Sequence, residues 1–154
     1  MSSITGKTKI CGIIGDPIEH TMSPAMHNAA FEALGLDYIY LPFRVRREEL
    51  KGAINGIRAL NIVGLNVTIP HKSEVIPLLD KLEPLAEGMG AVNTIVNEDG
   101  KLIGYNTDAP GFLRALRFNG IEPEGKKVVI LGAGGAAKGI SFILAGAGAS
   151  LVIL

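Results

Sequence analysis

Lys127-Val128-Val129-Ile130-Leu131-Gly132-Ala133-Gly134-Gly135-Ala136 sets a short apolar strand against a glycine-rich turn, and a helix-period run from Ala136 to Ala147 follows at once. Strand, tight turn and helix in that order open a βαβ unit, the context in which a glycine motif carries weight. The glycines let backbone N–H groups approach a pyrophosphate at the start of the helix. Gly132, Ala133, Gly134, Gly135 and Ala136 are therefore candidate dinucleotide-binding residues. The third glycine of G-x-G-x-x-G is replaced by Ala137, an allowed variant. Ile140, Ile143 and Leu144 form the inner face of this helix, and Ser150 to Leu154 is the next strand. The residue that reads the adenosine ribose falls about 20 positions on, at or past the last residue, so these positions do not tell NAD from NADP.

Upstream, strand-like and helix-period runs alternate, which predicts an α/β fold with a mainly parallel sheet flanked by helices. Lys9 to Gly15 reads as a buried strand ended by Asp16-Pro17. Met26, Ala29, Ala30, Ala33 and Leu34 mark one face of a helix closed by Gly35. Tyr38 to Val45 is a second strand, followed by a helix striped by Leu50, Ala53, Ile54 and Ile57. Ile62 to Thr68 is a third strand, followed by a helix that begins near His71 and meets Pro77. A fourth strand, Ala91 to Val96, turns at Asp99-Gly100 and returns through Leu102-Ile103. Asp108 is placed to cap a helix whose inner face is Ala109, Phe112, Leu113 and Leu116, with Pro110 tolerated in its first turn. The loop Asn119 to Gly125 precedes the βαβ unit. A single unit of about thirty residues buries too little to stand alone, so the second domain is expected to be incomplete.

The 154 residues suit one domain plus part of another. With 15 Lys+Arg against 15 Asp+Glu, nothing favours nucleic acid or an anionic membrane as partner. No apolar run nears the roughly 18 residues needed to span a bilayer, and the amino terminus lacks the apolar core of a signal peptide. The single cysteine, Cys11, excludes an internal disulfide framework and fits a reducing compartment, so the cytoplasm is the expected location. Within its apolar run Cys11 reads as a small buried hydrophobe rather than a nucleophile.

Asn66-Val67-Thr68-Ile69-Pro70-His71-Lys72 carries a lysine just past an apolar strand, where α/β sheets keep their chemistry. At a helix start the local field disfavours an ammonium and lowers a lysine's pKa, which suits a proton donor working near neutral pH. Asn66 and Thr68 point the same way if the strand runs to Thr68. Asp108 reads either as an N-cap or, if close to Lys72, as its catalytic partner. Thr21 and Ser23 set two hydroxyls before a helix. Ser23 followed by Pro24 fits a cap with proline at the first helical position, whereas nothing structural asks for Thr21. Beside the free N–H groups of a helix end, the pair also makes a carboxylate receptor. His20 and His27 lack the company of a metal site and read as loop and helix-surface residues, so no metal is expected.

In combination these segments resemble the shikimate dehydrogenase (shikimate/quinate dehydrogenase) family from Ile13 to Leu154. The family's S-x-S-P segment appears as Thr21-Met22-Ser23-Pro24 and its N-V-T-x-P-x-K segment as Asn66 to Lys72. Its G-A-V-N-T segment is Gly90 to Thr94, its G-x-N-T-D segment Gly104 to Asp108, and its G-A-G-G-A turn Gly132 to Ala136. The resemblance implies reversible NADPH-dependent reduction of 3-dehydroshikimate to shikimate, on the route to chorismate and aromatic amino acids. It implies a shikimate-binding catalytic domain over 1–104, a connecting helix and loop over 105–124, and the beginning of an NADP-binding Rossmann domain over 125–154. Thr21 and Ser23 would hold the substrate carboxylate, and Thr68, Asn93 and Asp108 ring hydroxyls. Lys72 and Asp108 would be the catalytic pair, with Lys72 passing a proton to the carbonyl oxygen. The family's Asn-Arg-Ser/Thr segment, which grips the NADP 2′-phosphate, would begin just after Leu154. Thr21 replaces the usual serine, which keeps the hydroxyl and bears on preference between shikimate and quinate. The expected partners are this small substrate and a second copy in a candidate homodimer. The competing readings are an NAD-linked quinate or shikimate dehydrogenase and a non-catalytic shikimate-binding module.

Overall fold

A computed structural model describes residues 4–132 and 135–154. β1 (Lys9–Gly15) is followed by α1 (Ser23–Ala33), β2 (Tyr38–Arg44) and, after a 3-10 turn at Arg47–Glu49, α2 (Leu50–Ala59). β3 (Gly64–Val67), a 3-10 turn at Ile76–Leu78, β4 (Lys81–Leu82), α3 (Pro84–Met89), β5 (Thr94–Glu98) and β6 (Lys101–Tyr105) complete a six-stranded sheet of order β2-β1-β3-β5-β6-β4. β1 pairs in parallel with β2 and β3, and β4 with β6, while β5 runs antiparallel to β3 and β6. Five strands thus point one way and β5 the other. The reversal follows from the Asp99-Gly100 turn, where both residues take positive φ and tie β5 to β6 as a hairpin. α4 (Asp108–Phe118) leads to β7 (Lys127–Ile130), α5 (Gly135–Gly146) and β8 (Ser150–Ile153), with β7 and β8 forming a separate parallel pair.

Adjacent residues of β1 face opposite sides, as strand geometry requires. Ile14 joins the main core with Leu50, Ile54, Ile57, Leu65, Ile95 and Leu102, whereas Ile13 packs with Ile18 and Tyr40 against Cys11 and Phe31. The stripe on α2 is buried as read, and α4 and α5 turn the expected residues inward. Cys11 is half-buried, and burial pushes its thiol pKa up, away from a reactive thiolate. None of the described helices is long and apolar enough to cross a membrane.

Several local expectations are corrected. On α1 the stripe Met26, Ala29, Ala30, Ala33 and Leu34 is exposed, and the face turned toward the sheet carries Pro24, His27, Asn28 and Phe31. Three alanines bring little transfer energy. They lose to the Asn28 amide, which accepts from the Tyr40 N–H at 2.8 Å and donates to its carbonyl at 3.0 Å, and to the His27 ring stacked on Tyr40 at 4.3 Å. His27 is therefore half-buried rather than a surface residue. No α-helix begins near His71. Pro77 has no N–H for the Ser73 carbonyl, which instead accepts from Ile76, and the segment stays in turns that tighten into the short 3-10 stretch. β3 stops at Val67, although the Thr68 N–H still donates to the Ile14 carbonyl, and β5 begins at Thr94 rather than Ala91. β4 and α3 are too short to leave a periodic signal in the sequence.

Candidate active site

The carboxyl ends of β1 and β3 open toward the segments that follow them, and α4 comes across from the end of β6. Lys72, on the turns after β3, reaches the carboxylate of Asp108, at the start of α4, with Nζ 2.6 Å from Oδ2. Lys72 does not begin a helix of its own, and its backbone is fixed by other means. The Lys72 carbonyl accepts from the Val92 N–H at 2.8 Å and Ser73 Oγ donates to the Gly90 carbonyl. The His71 ring is fully buried and its Nε2 lies 2.6 Å from the Val45 carbonyl oxygen.

Asp108 is free for this contact because another residue caps its helix. The Asn106 side-chain oxygen accepts from the backbone N–H groups of Asp108 and Ala109, at 3.0 and 3.4 Å, so the N-cap expected of Asp108 is supplied two residues earlier. Asn106 is buried and its amide donates to the Ala91 carbonyl. Asn93 donates from Nδ2 to Asp108 Oδ1 at 2.8 Å. One carboxylate oxygen thus faces an amide and the other an ammonium.

At the other end, the Thr21 hydroxyl accepts from the Ser23 N–H at 3.3 Å and donates to Ser23 Oγ at 3.2 Å. Ser23 is the first residue of α1 and its side chain caps nothing. The capping duty expected of Ser23 falls on Thr21, which leaves the Ser23 hydroxyl to the cleft. The buried Tyr40 has its hydroxyl pKa pushed up to about 12, burial outweighing the opposing effect of the nearby Ser23 hydroxyl. Tyr40 donates to Asn66 Oδ1 at 2.6 Å, and Asn66 donates to Thr94 Oγ1 at 3.0 Å. Asp108, which faces Lys72, is therefore linked to Tyr40 through Asn93, Thr94 and Asn66. Thr68 sits half-buried beyond β3 and makes no side-chain hydrogen bond among the described residues. Sequence reading missed Tyr40, His71, Thr94 and Asn106 as site residues. Tyr40 lay within the second strand and His71 at an expected helix start, and Thr94 and Asn106 lay inside motifs without a separate signal.

Lys72, Asp108, Asn106 and Phe112 share a cavity of about 590 Å³ with Ala136, Gly139 and Ile140 of α5. α5 approaches closely because Gly139 has no side chain: a Cβ there would stand 2.5 Å from Met89 Cε. At the end of β7, Gly132 has φ +110°, open to glycine but strained for other residues, and no atom lies within 4 Å of where its Cβ would be. Ala133 and Gly134 fall outside the described residues, and Gly135 opens α5. A glycine bend followed by a helix start beside the Lys72–Asp108 pair fits a dinucleotide.

Fold and site together define an α/β protein whose cleft, carrying the Lys72–Asp108 pair, lies between a mixed sheet and a βαβ unit. Residues 13–95 match the family model described as the shikimate dehydrogenase substrate binding domain, and the chain belongs to that family. The chain is 56% identical over 150 residues to an NADP(+) shikimate dehydrogenase of Carboxydothermus hydrogenoformans, covering 97% of this chain and 54% of the relative. With an NADP(+) shikimate dehydrogenase of Methanopyrus kandleri the identity is 55%, covering 99% and 53%. A crystal structure of a shikimate dehydrogenase in complex with NADP+ superposes with a TM-score of 0.94 at 51% identity, covering 99% of this chain and 53% of that one. A Listeria monocytogenes shikimate 5-dehydrogenase in complex with shikimate and NAD gives 0.94 at 49%, with the same coverage. A 5-ketofructose reductase of Gluconobacter also superposes, at 0.89 and 40% identity, covering 97% and 54%. The chain spans about half the length of the curated relatives it matches.

Proposed function

We propose that this chain forms the substrate-binding half and the first cofactor-binding unit of an NADP-linked shikimate dehydrogenase, acting in the cytoplasm in the reversible reduction of 3-dehydroshikimate to shikimate on the route to chorismate. The observation that carries the reading is the Lys72–Asp108 pair, 2.6 Å apart on the wall of a cavity that α5 also lines. In this reading residues 1–104 bind substrate, 105–124 connect, and 125–154 begin the cofactor domain. NADPH, when bound, supplies the hydride, and Gly132, Ala133, Gly134, Gly135 and Ala136 would hold its pyrophosphate. Lys72 delivers the proton to the carbonyl oxygen. Asp108 holds the ammonium in place and, with Asn93 and Thr68, binds ring hydroxyls.

Thr21 and Ser23 would take the substrate carboxylate. Charge-assisted hydrogen bonds of this kind contribute about 1.5–3 kcal/mol each. Because Thr21 is committed to the Ser23 backbone and side chain, Ser23 is the better placed donor. Thr21 also supports a second reading, an NAD-linked quinate/shikimate dehydrogenase, because its extra methyl reshapes the carboxylate end. A full-length form assayed with shikimate and quinate, each with NADP and NAD, separates the two. Tight shikimate binding without turnover under any combination would instead leave a non-catalytic binding module.

A further inference from the structure

Two backbone groups fix the direction of every hydrogen bond between Tyr40 and Asp108. The Asn93 carbonyl can only accept, and Asn66 Nδ2 faces it at 3.3 Å, so Asn66 Oδ1 must be the atom turned to Tyr40. That oxygen cannot donate, so the Tyr40 hydroxyl does. The Thr107 N–H can only donate, and Asn93 Oδ1 faces it at 2.9 Å, so Asn93 Nδ2 must be the atom turned to Asp108. Thr94 stands between two amides whose orientations are settled. It accepts from Asn66 Nδ2 at 3.0 Å and has one place left for its own hydrogen, Asn93 Oδ1, also at 3.0 Å. Thr94 lies directly opposite Asn66 across the β3–β5 pair, which holds this contact in register.

All the hydrogens along this path therefore point toward the Asp108 carboxylate. Aligned bonds polarise one another, and an amide whose oxygen accepts strongly becomes a better donor at its nitrogen. We infer that Thr94 is a positioning residue: as a donor to Asn93 Oδ1 beside the Thr107 N–H, it strengthens the Asn93 hydrogen bond that holds the Asp108 carboxylate facing Lys72, and so ties Tyr40 and Asn66 to the proton-transfer end of the cleft. The inference rests on the reading of Lys72 and Asp108 as the reacting pair.

Thr94→Val keeps the shape of the side chain and removes its hydroxyl, whereas Thr94→Ser keeps the hydroxyl. In a full-length form, Thr94→Val is expected to lower kcat for shikimate oxidation by roughly 2- to 13-fold, the range one lost hydrogen bond spans. KM should stay nearly unchanged, and Thr94→Ser should restore kcat. In the same proteins the Asn93 side-chain amide protons, followed by NMR, should move upfield in the valine variant and return in the serine variant. A valine variant that melts earlier but keeps kcat and the Asn93 resonances would make Thr94 merely structural and overturn the inference. If the wild-type full-length form failed to oxidise shikimate, the functional reading would fall. The Asn93 resonances would still decide whether Thr94 governs that amide, and unmoved resonances would sink the proposal by themselves.

Discussion

Lys72 and Asp108 are 36 residues apart in sequence and meet through one 2.6 Å contact between half-exposed side chains, so their worth lies in placement rather than in stability. In a full-length form Lys72→Ala should lower kcat by about 10²–10⁴-fold with substrate affinity much less changed, as loss of a general acid or base requires. Steady-state kinetics with an unchanged kcat would remove Lys72 from the mechanism. Ser23 makes a complementary case, since its side chain caps no helix. Ser23→Ala should therefore weaken shikimate binding by more than ~1 kcal/mol, measured by calorimetry, with little change in melting temperature. A drop in melting temperature at unaltered affinity would return Ser23 to a purely structural role. Residue patterns marked Lys72, Asp108 and Ser23 because polar groups gather beside strand ends and helix starts, and the family resemblance added Asn93. It assigned the caps wrongly, since Asn106 and Thr21 lie within two residues of the positions chosen and a one-dimensional pattern does not separate such neighbours.

Elements in this fold are held by side chains reaching across them as much as by their own propensity. Asn106→Ala should cost about 1 kcal/mol through the lost α4 cap. It should also lower turnover, because the cap sets the helix start that carries Asp108. Chemical denaturation and kinetics on the same variant check both effects, and full turnover would show that Asp108 is placed by Asn93 alone. The β5–β6 hairpin is fastened to α2 by Asp80, which accepts from the Leu102 N–H and from Arg58, while Arg58 also donates to the Gly100 carbonyl. The Leu102 N–H first, and Arg58 second, hold the Asp80 carboxyl below its ordinary value. A depressed folded-state pKa gives a contribution that is present above the unfolded value and lost as pH falls through the folded one. Melting temperature should therefore fall on acidification below about pH 4, and Asp80→Asn should flatten that limb; identical profiles would show that the clamp is not felt. Long, strongly apolar periodicity, as on α2, was legible in the sequence. The weak alanine stripe of α1 was not, because two amide hydrogen bonds and a ring stack outweigh methyl burial. The segment after Pro70 also misled, since its apolar pattern suits a helix and only the missing N–H of Pro77 forbids one.

At the scale of the whole molecule the two sheets are unequal. The six-stranded sheet encloses a continuous core, whereas β7 and β8 are supported by each other and by α5. Val129, Leu131, Val152, Ile153 and Leu154 remain half or more exposed on this second unit. Apolar strands with open edges tend to pair with another chain, and a two-stranded pair is marginal in water by itself. The 154-residue chain is therefore expected to self-associate, or to lose order beyond Gly125, which sedimentation velocity and hydrogen exchange would register. The proposed substrate cleft draws on Thr21, Ser23, Thr68, Asn93, Lys72 and Asp108, all within the first 108 residues, so on that reading shikimate binding should survive in this chain. A dinucleotide, by contrast, spans a crevice between two βαβαβ halves, and one βαβ unit offers only part of the first. Cofactor affinity should accordingly be poor and shikimate-dependent reduction of NADP undetectable in the purified chain. A monomer that sediments as one species and turns over steadily would overturn this expectation, because the cofactor would then have to be held by the six-stranded sheet and α4 rather than by the turn after β7.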